Sequence, residues 1–351
     1  MLTTVIPAFV AAVGALAGQL DPPAGPVEPT MKTLDQIEAR TPINDATTPG
    51  DSNAVYVISE PGSYYLTEDL QGVAGDHGIE ITAFPVTLDL NGFSVIGPGG
   101  SSLNGIEVNV TDADGVIVQN GSIRGWGDDG LSLGTSSGAA IIRDIISSEN
   151  GEHGFAGGDG AAQYLNCIAI GNEEDGFNLG SESLVTGCSA ISNTGRGFAS
   201  EGAPFIVESR AVTNGDIGIE LAAGSVTRCQ LRDNTNVEIM IGGPGLIQDS
   251  LIATGESTGI SVDDGVVVRG NQLFGGGAGT AVLVTGSGSS VERNHASNWT
   301  TAYSITGTNN SVCANISQGV TNGVTGDPMN AVGVLRSSYV GSGPWDNFQF
   351  P

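Results

Sequence analysis

The 351-residue sequence predicts a single all-β solenoid, a parallel β-helix of about ten to eleven coils. Three observations carry that prediction. First, a glycine followed by an apolar-x-apolar triplet recurs at Gly78, Gly105, Gly130, Gly176, Gly218 and Gly259, with weaker copies at Gly154, Gly197, Glu238, Thr280 and Ala302. The successive steps are 27, 25, 24, 22, 21, 21, 20, 21, 21 and 22 residues. A near-constant period of this length marks stacked units that cannot bury their apolar faces singly. Second, Asn150, Asn172, Asn193, Asn214, Asn234 and Asn298 each stand four residues before a repeat start, with Gly255 and Gly276 in that place in two other repeats. Third, the chain has 55 glycines, 5% aromatic residues and a single lysine, Lys32. That composition is poor for long helices and suits short strands joined by turns.

Period-2 patterning assigns the faces of the strands. Phe155, Phe177, Phe198, Ile219, Ile239 and Ile260 share one column and are expected to stack inside. Ser132, Ala156, Asn178, Ala199 and Glu220 alternate with them and face out. Cys167, Cys188, Ser209, Cys229 and Ser250 form a second inward column. In-register thiols of neighbouring coils point the same way, so stacked free cysteines are expected there rather than a disulfide. No C-x-x-C spacing or zinc pattern occurs. Stacked asparagines hydrogen-bond from coil to coil, which accounts for their column by turn stabilisation alone.

The ends depart from the repeat, as solenoid caps do. Residues 1–17 contain an apolar run from Val5 to Ala17 that ends Ala15-Leu16-Ala17, and read as an export signal peptide despite the lack of a basic residue ahead of the run. Residues 18–30 form a proline-rich linker. Residues 31–75 are assigned to an N-terminal cap. Within it Thr33-Leu34-Asp35-Gln36 fits a capping box for a short helix over 31–39, and 54–75 adds a strand pair through Pro61-Gly62. The β-helix itself is assigned to 76–320, and an irregular C-terminal cap to 321–351. The apolar run is short for a membrane span and no other stretch qualifies.

With 38 acidic against 11 basic residues, the formal net charge is −27. Nucleic acid is excluded as a partner, because phosphate binding needs clustered Lys and Arg. Adsorption to an anionic membrane is disfavoured for the same reason.

The segments GPVEPTMKTLDQIEART, PGSYYLTEDL, HGIEI, VTLDLNGFSVIG, VQNGSIRGWGDDG and PWDNFQF together resemble a family of exported bacterial right-handed parallel β-helix repeat proteins of no established function. The resemblance covers nearly the whole chain after residue 20. More loosely the chain resembles the pectin-lyase-like superfamily, which includes pectate lyases, polygalacturonases and phage tailspikes. It implies a right-handed helix and a secreted, periplasmic or cell-surface location, and it leaves activity open.

The residue just before the repeat glycine forms its own column: Asn104, Asp129, His153, Asp175, Arg196, Ile217. Asp128-Asp129 resembles the paired aspartates of polygalacturonases, and His153-Gly154 resembles their histidine motif. Asp175-Gly176 has the Asp-Gly of a further motif but follows the pair instead of preceding it, and the family's Arg-Ile-Lys element is missing. Asp129 and Asp175 lie two coils apart, which puts their backbones about 9–10 Å apart. Inverting glycosidases hold their carboxyls at about 6.5–9.5 Å. The candidate catalytic set is therefore Asp129, His153 and Asp175. Trp126, Asp128, Asn178 and Arg196 are the candidate substrate contacts, with Trp126 expected to offer an exposed indole to a sugar. No cofactor is required; Ca²⁺ among Asp128, Asp129, Glu174 and Asp175, with Arg196 as base, is the lyase variant. His77 and His295 read as isolated surface residues.

Against this stands a plainer account, in which Asp-Gly and Asn-Gly pairs serve turns. The expectation is a non-catalytic exported protein that presents a rigid acidic face to polysaccharide, cation or a surface partner. The alternative is a polysaccharide hydrolase or lyase centred on Asp129, His153 and Asp175.

Overall fold

The computed structural model describes residues 39–326 apart from 101–102, 136–137 and 256–257, together with 331–332, 335–336 and 346–350. The signal peptide, the linker and all but the last residue of the helix expected over 31–39 lie outside the described residues.

Among the described residues every element is a β-strand, and a typical coil adds one short strand to each of three stacks. In the coil around residue 170, Gln163–Leu165 joins the first face, Ile168–Ile170 the second and Phe177–Asn178 the third. Neighbouring coils pair in parallel and in register, as Gln163 with Leu184, Ile168 with Ser189 and Phe177 with Phe198. The third face is a sheet of 13 strands. The first two faces join through Val116–Arg124 and Ile141–Ser148, each long enough to run through both, giving one sheet of 26 strands. No helix among the described residues is long and apolar enough to cross a membrane.

The described residues thus form 13 coils, against the ten to eleven that the repeat predicts. The two beyond the eleven repeat starts lie at the ends. Ala54–Ile58 pairs in parallel with His77–Ile81, and Asn322–Gly326 with Thr301–Ile305. The strands on either side of Pro61-Gly62 do not pair with each other; each stacks on the following coil, Gly62–Tyr65 on Val86–Asp89. These end coils lack the Gly-apolar-x-apolar signature, so the repeat did not count them.

The interior follows the assigned parity. Phe155, Phe177 and Phe198 are fully buried and stack with ring centroids 4.7 Å apart and planes within 12°. Tyr164 meets the edges of the first two rings. Ile219, Ile239, Ile260, Val282 and Tyr303 continue the column, all at most 1% exposed.

Two tight turns per coil are held by buried polar ladders. At the second turn, Asn150, Asn172, Asn193 and Asn214 each donate from backbone N–H and Nδ2 to Oδ1 of the asparagine one coil on, ending at Asn234, with Nδ2–Oδ1 distances of 2.8–3.0 Å. Asn234 donates in turn to both carboxylate oxygens of the fully buried Glu238. Asn298 is not part of this ladder: it is exposed and has a positive φ of 61°.

The cysteine column lies at the first turn. All four cysteines of the chain, Cys313 included, are free and buried. The backbone N–H of Cys167 donates to Cys188 Sγ at 3.4 Å, that of Cys188 to Ser209 Oγ at 3.1 Å, and that of Cys229 to Ser250 Oγ at 3.2 Å. From Ser250 onward the acceptors are asparagines: Asn271, Asn294, Asn315 and Asn347. The asparagine ladder therefore changes turns near Asn234. The rungs from Cys167 to Asn315 each follow a residue with positive φ, among them Asn166, Glu208, Arg228, Asp249, Arg293 and Ala314. For a non-glycine residue that conformation costs about 1–2 kcal/mol. The ladder bonds offset this by satisfying backbone N–H groups that no water reaches.

Candidate functional site

The column before the repeat glycine is a third ladder. Asp129 N–H donates to Asn104 Oδ1 at 2.8 Å, and His153 N–H to Asp129 Oδ1 at 3.0 Å. Asp175 N–H donates to His153 Nδ1 at 3.2 Å, and Arg196 N–H to Asp175 Oδ1 at 2.7 Å. The column begins one coil earlier than the sequence suggested, because His77 Nδ1 accepts from Asn104 N–H at 3.1 Å. His77 is therefore a rung, not an isolated surface residue. Every rung that receives an N–H presents an acceptor, which explains why Asn, Asp and His interchange here. Arg196 has no side-chain acceptor, so the ladder ends with its own N–H donating to Asp175.

The glycine after each rung has a steric cause. A Cβ at Gly130 would stand 1.9 Å from Ser147 Oγ and 2.8 Å from Gly154 O. At Gly154, Gly176 and Gly197 it would meet the next coil's carbonyl oxygen at 2.7, 2.8 and 2.4 Å. The Asp-Gly pairs thus reflect close backbone approach rather than a left-handed turn.

The ladder defines electrostatics as well as shape. His153 Nδ1 is an acceptor, so the neutral imidazole carries its proton on Nε2. That atom lies 3.4 Å from Glu174 Oε2 and 3.2 Å from the Asn178 amide. Arg196 is held between two carboxylates: Nε and Nη2 bind Asp175 at 3.1 and 2.8 Å, and Nη1 binds Glu220 Oε2 at 2.9 Å. Burial pushes the Asp129 carboxyl up to about 6, against the lowering effect of the His153 N–H and imidazole; Glu152 and Asp128 add to the rise. The two carboxyls therefore differ in setting. Asp175 is clamped by a guanidinium, while Asp129 is buried with no basic side chain bonded to it.

Beside the ladder runs the outward column of the third face: Glu107, Ser132, Ala156, Asn178, Ala199 and Glu220 in register. Ser132 and Ala199 point outward and are nevertheless only 6% and 2% exposed. The face is recessed there, with a small-residue floor between two glutamates. Past Glu220 it continues into a depression lined by Arg196, Ser200, Glu201, Glu220 and Met240.

Asp129, His153, Asp175, Asn178 and Arg196 are thus brought to one wall and floor, and Asp128 lies next to them in the chain. Trp126 is not. Its indole is 2% exposed and its Nε1 donates to Val95 O at 3.1 Å. Trp126 occupies the inward column of the second-turn ladder, where its backbone N–H donates to Asn150 Oδ1 at 3.1 Å, so its ring enters the core instead of meeting a sugar. Glu174, expected only as a calcium ligand, pairs with His153, and Glu220, not among the expected site residues, pairs with Arg196; its place beside the column was the available signal. Among the described residues, no three of His, Cys, Asp and Glu converge as metal ligands would, Asp128, Asp129, Glu174 and Asp175 included.

No protein-family model matches the chain, and no curated protein matches its sequence. Solved structures do match its fold. The A-module of a mannuronan C-5 epimerase from Azotobacter vinelandii is 18% identical over 77% of this chain and 90% of its own, with a TM-score of 0.59. The catalytic domain of an alpha-1,3-glucanase, in complex with tetrasaccharides, is 10% identical over 79% of this chain and 63% of its own, with a TM-score of 0.51. The receptor-binding domain of the Siphovirus 9NA tailspike is 10% identical over 83% of this chain and 72% of its own, with a TM-score of 0.50. These likenesses show that the chain shares a parallel β-helix fold with these proteins.

Proposed function

We propose that this chain is an exported polysaccharide-binding protein that holds a glycan along the recessed strip of its third face without cleaving it. The observation that carries the reading is the recess itself. Small side chains over Ser132, Ala156, Asn178 and Ala199 form a floor of coil-spaced steps, flanked by polar groups at His153, Glu174 and Glu220. A rigid solenoid repeats its contacts every coil, about 4.8 Å, and so matches a polymer that repeats its own units. The fold neighbours named for an epimerase, a glucanase and a tailspike receptor-binding domain support a carbohydrate-related role. A non-catalytic role is supported by the aspartates' present employment, since Asp129 and Asp175 each accept a backbone N–H from the next coil.

A hydrolase reading has one specific observation in its favour. Asp129 is pushed up to about 6 while Asp175 is paired with Arg196, so the two carboxyls are set apart as an acid and a base would be. The test is retention of the full chain on immobilised polysaccharides, with Ala156→Trp as the groove-blocked control. Retention that the control abolishes is the expected result; no retention on any glycan refutes the reading.

A further inference from the structure

We infer that the glycan held on the third face is uncharged and rich in hydroxyl groups, and that polyuronates are excluded from it; this rests on the glycan-binding reading above. The argument is an inventory of donors and acceptors. None of the 13 strands of the third sheet carries a Lys or Arg. The cation beside the floor, Arg196, is already ion-paired with two carboxylates, Asp175 and Glu220, which offset its charge. What faces the recess is acceptor-rich: Glu107 at one end, Glu220 at the other and Glu174 on the wall, its side chain 56% exposed. A uronate carboxylate has only acceptors to offer and would meet acceptors of its own sign. A sugar hydroxyl donates to a carboxylate in a charge-assisted bond and accepts from an amide such as that of Asn178. The recess therefore complements hydroxyls and opposes carboxylates, and the chain's formal net charge of −27 acts in the same direction at longer range.

The experiment measures binding of the full chain to two sets of probes. One is neutral polysaccharide (α- and β-glucan, mannan, xylan); the other is polygalacturonate and alginate, each with calcium chloride or EDTA. The expected result is a neutral polymer bound at least about tenfold more tightly than either polyuronate, indifferent to EDTA and lost in Ala156→Trp. Glu174→Lys, at an exposed position, keeps the test valid if the bulky substitution disturbs folding; it is expected to weaken the neutral glycan and narrow the gap to polyuronate. Polyuronate bound as tightly as any neutral polymer, with or without calcium, overturns the inference and leaves the glycan-binding reading standing. Neutral binding that both substitutions leave untouched places the ligand elsewhere and also overturns it. Binding to neither set overturns both.

Discussion

Replacing Glu238 by Gln isolates the energetic role of the ladder's last rung. Glu238 is fully buried and accepts the N–H and Nδ2 donors of Asn234 with separate oxygens. Burial raises its carboxyl from 4.5 to about 7, opposed by the two Asn234 hydrogen bonds, with Asp233 adding to the rise and a bond from Thr254 lowering it. A raised carboxyl means that the folded state holds the proton more tightly than the unfolded chain does. The stability it contributes is complete below pH 4.5 and is lost as pH climbs through about 7. The difference of roughly 2.5 units corresponds to about 3 kcal/mol by pH 8. Glutamine has no such titration. Its single carbonyl oxygen can accept both Asn234 donors, as every asparagine Oδ1 earlier in the ladder does for its neighbour. Urea unfolding from pH 4 to pH 8 is the assay. The wild type minus Glu238→Gln difference is expected to shift by about 3 kcal/mol against the wild type across that range. A difference that stays flat with pH, or shifts in the other direction, refutes the assignment of a destabilising buried charge at this position.

Asp129→Asn keeps an oxygen for the His153 N–H while removing a carboxyl pushed up to about 6, so it is expected to raise stability by about 2–3 kcal/mol at pH 8 and to have no such effect near pH 3, read by the same unfolding titrations. Asp175→Asn removes the partner of Arg196 and is expected to cost about 1–3 kcal/mol in the same assay. Phe177→Ala takes the middle ring from the three-ring stack and is expected to cost about 3–5 kcal/mol in chemical denaturation. The buried thiols Cys188 and Cys229, both raised by burial, Cys229 to about 11, are expected to resist a thiol reagent at pH 8 until denaturant is added. Imidazole nitrogen chemical shifts are expected to report His153 as the Nε2–H tautomer, with Nδ1 unprotonated.

Much of this architecture was legible in the sequence because two periods coincide. Alternation within strands told inward Phe177 from outward Asn178, and the step of about 21 residues told which residues stack. The asparagine ladder was visible only where it kept one chemistry in one column. Where Gly255 and Gly276 interrupt it, the ladder had moved to the other turn, hidden because that column changes from Cys to Ser to Asn along the chain. Its trace was the constant five-residue offset between Cys167 and Asn172, Cys188 and Asn193, and Asn271 and Gly276. A place in an asparagine column suggests a surface position for Trp126, whereas stacked asparagines are themselves buried. The Asn104 to Arg196 column was legible as a shared face. Its purpose was not, because a side chain that accepts a backbone N–H from the next coil and one that waits for a substrate look alike until hydrogen-bond partners are known.

The most direct test of binding without cleavage is to incubate the wild type and the Asp129→Asn/Asp175→Asn double variant with each polysaccharide that the chain retains. Bound glycan, released reducing ends and unsaturated-product absorbance are followed together. Both proteins are expected to bind, and the polymer is expected to be recovered at its original length. Turnover by the wild type that the double variant abolishes would contradict the account and establish Asp129 and Asp175 as catalytic residues.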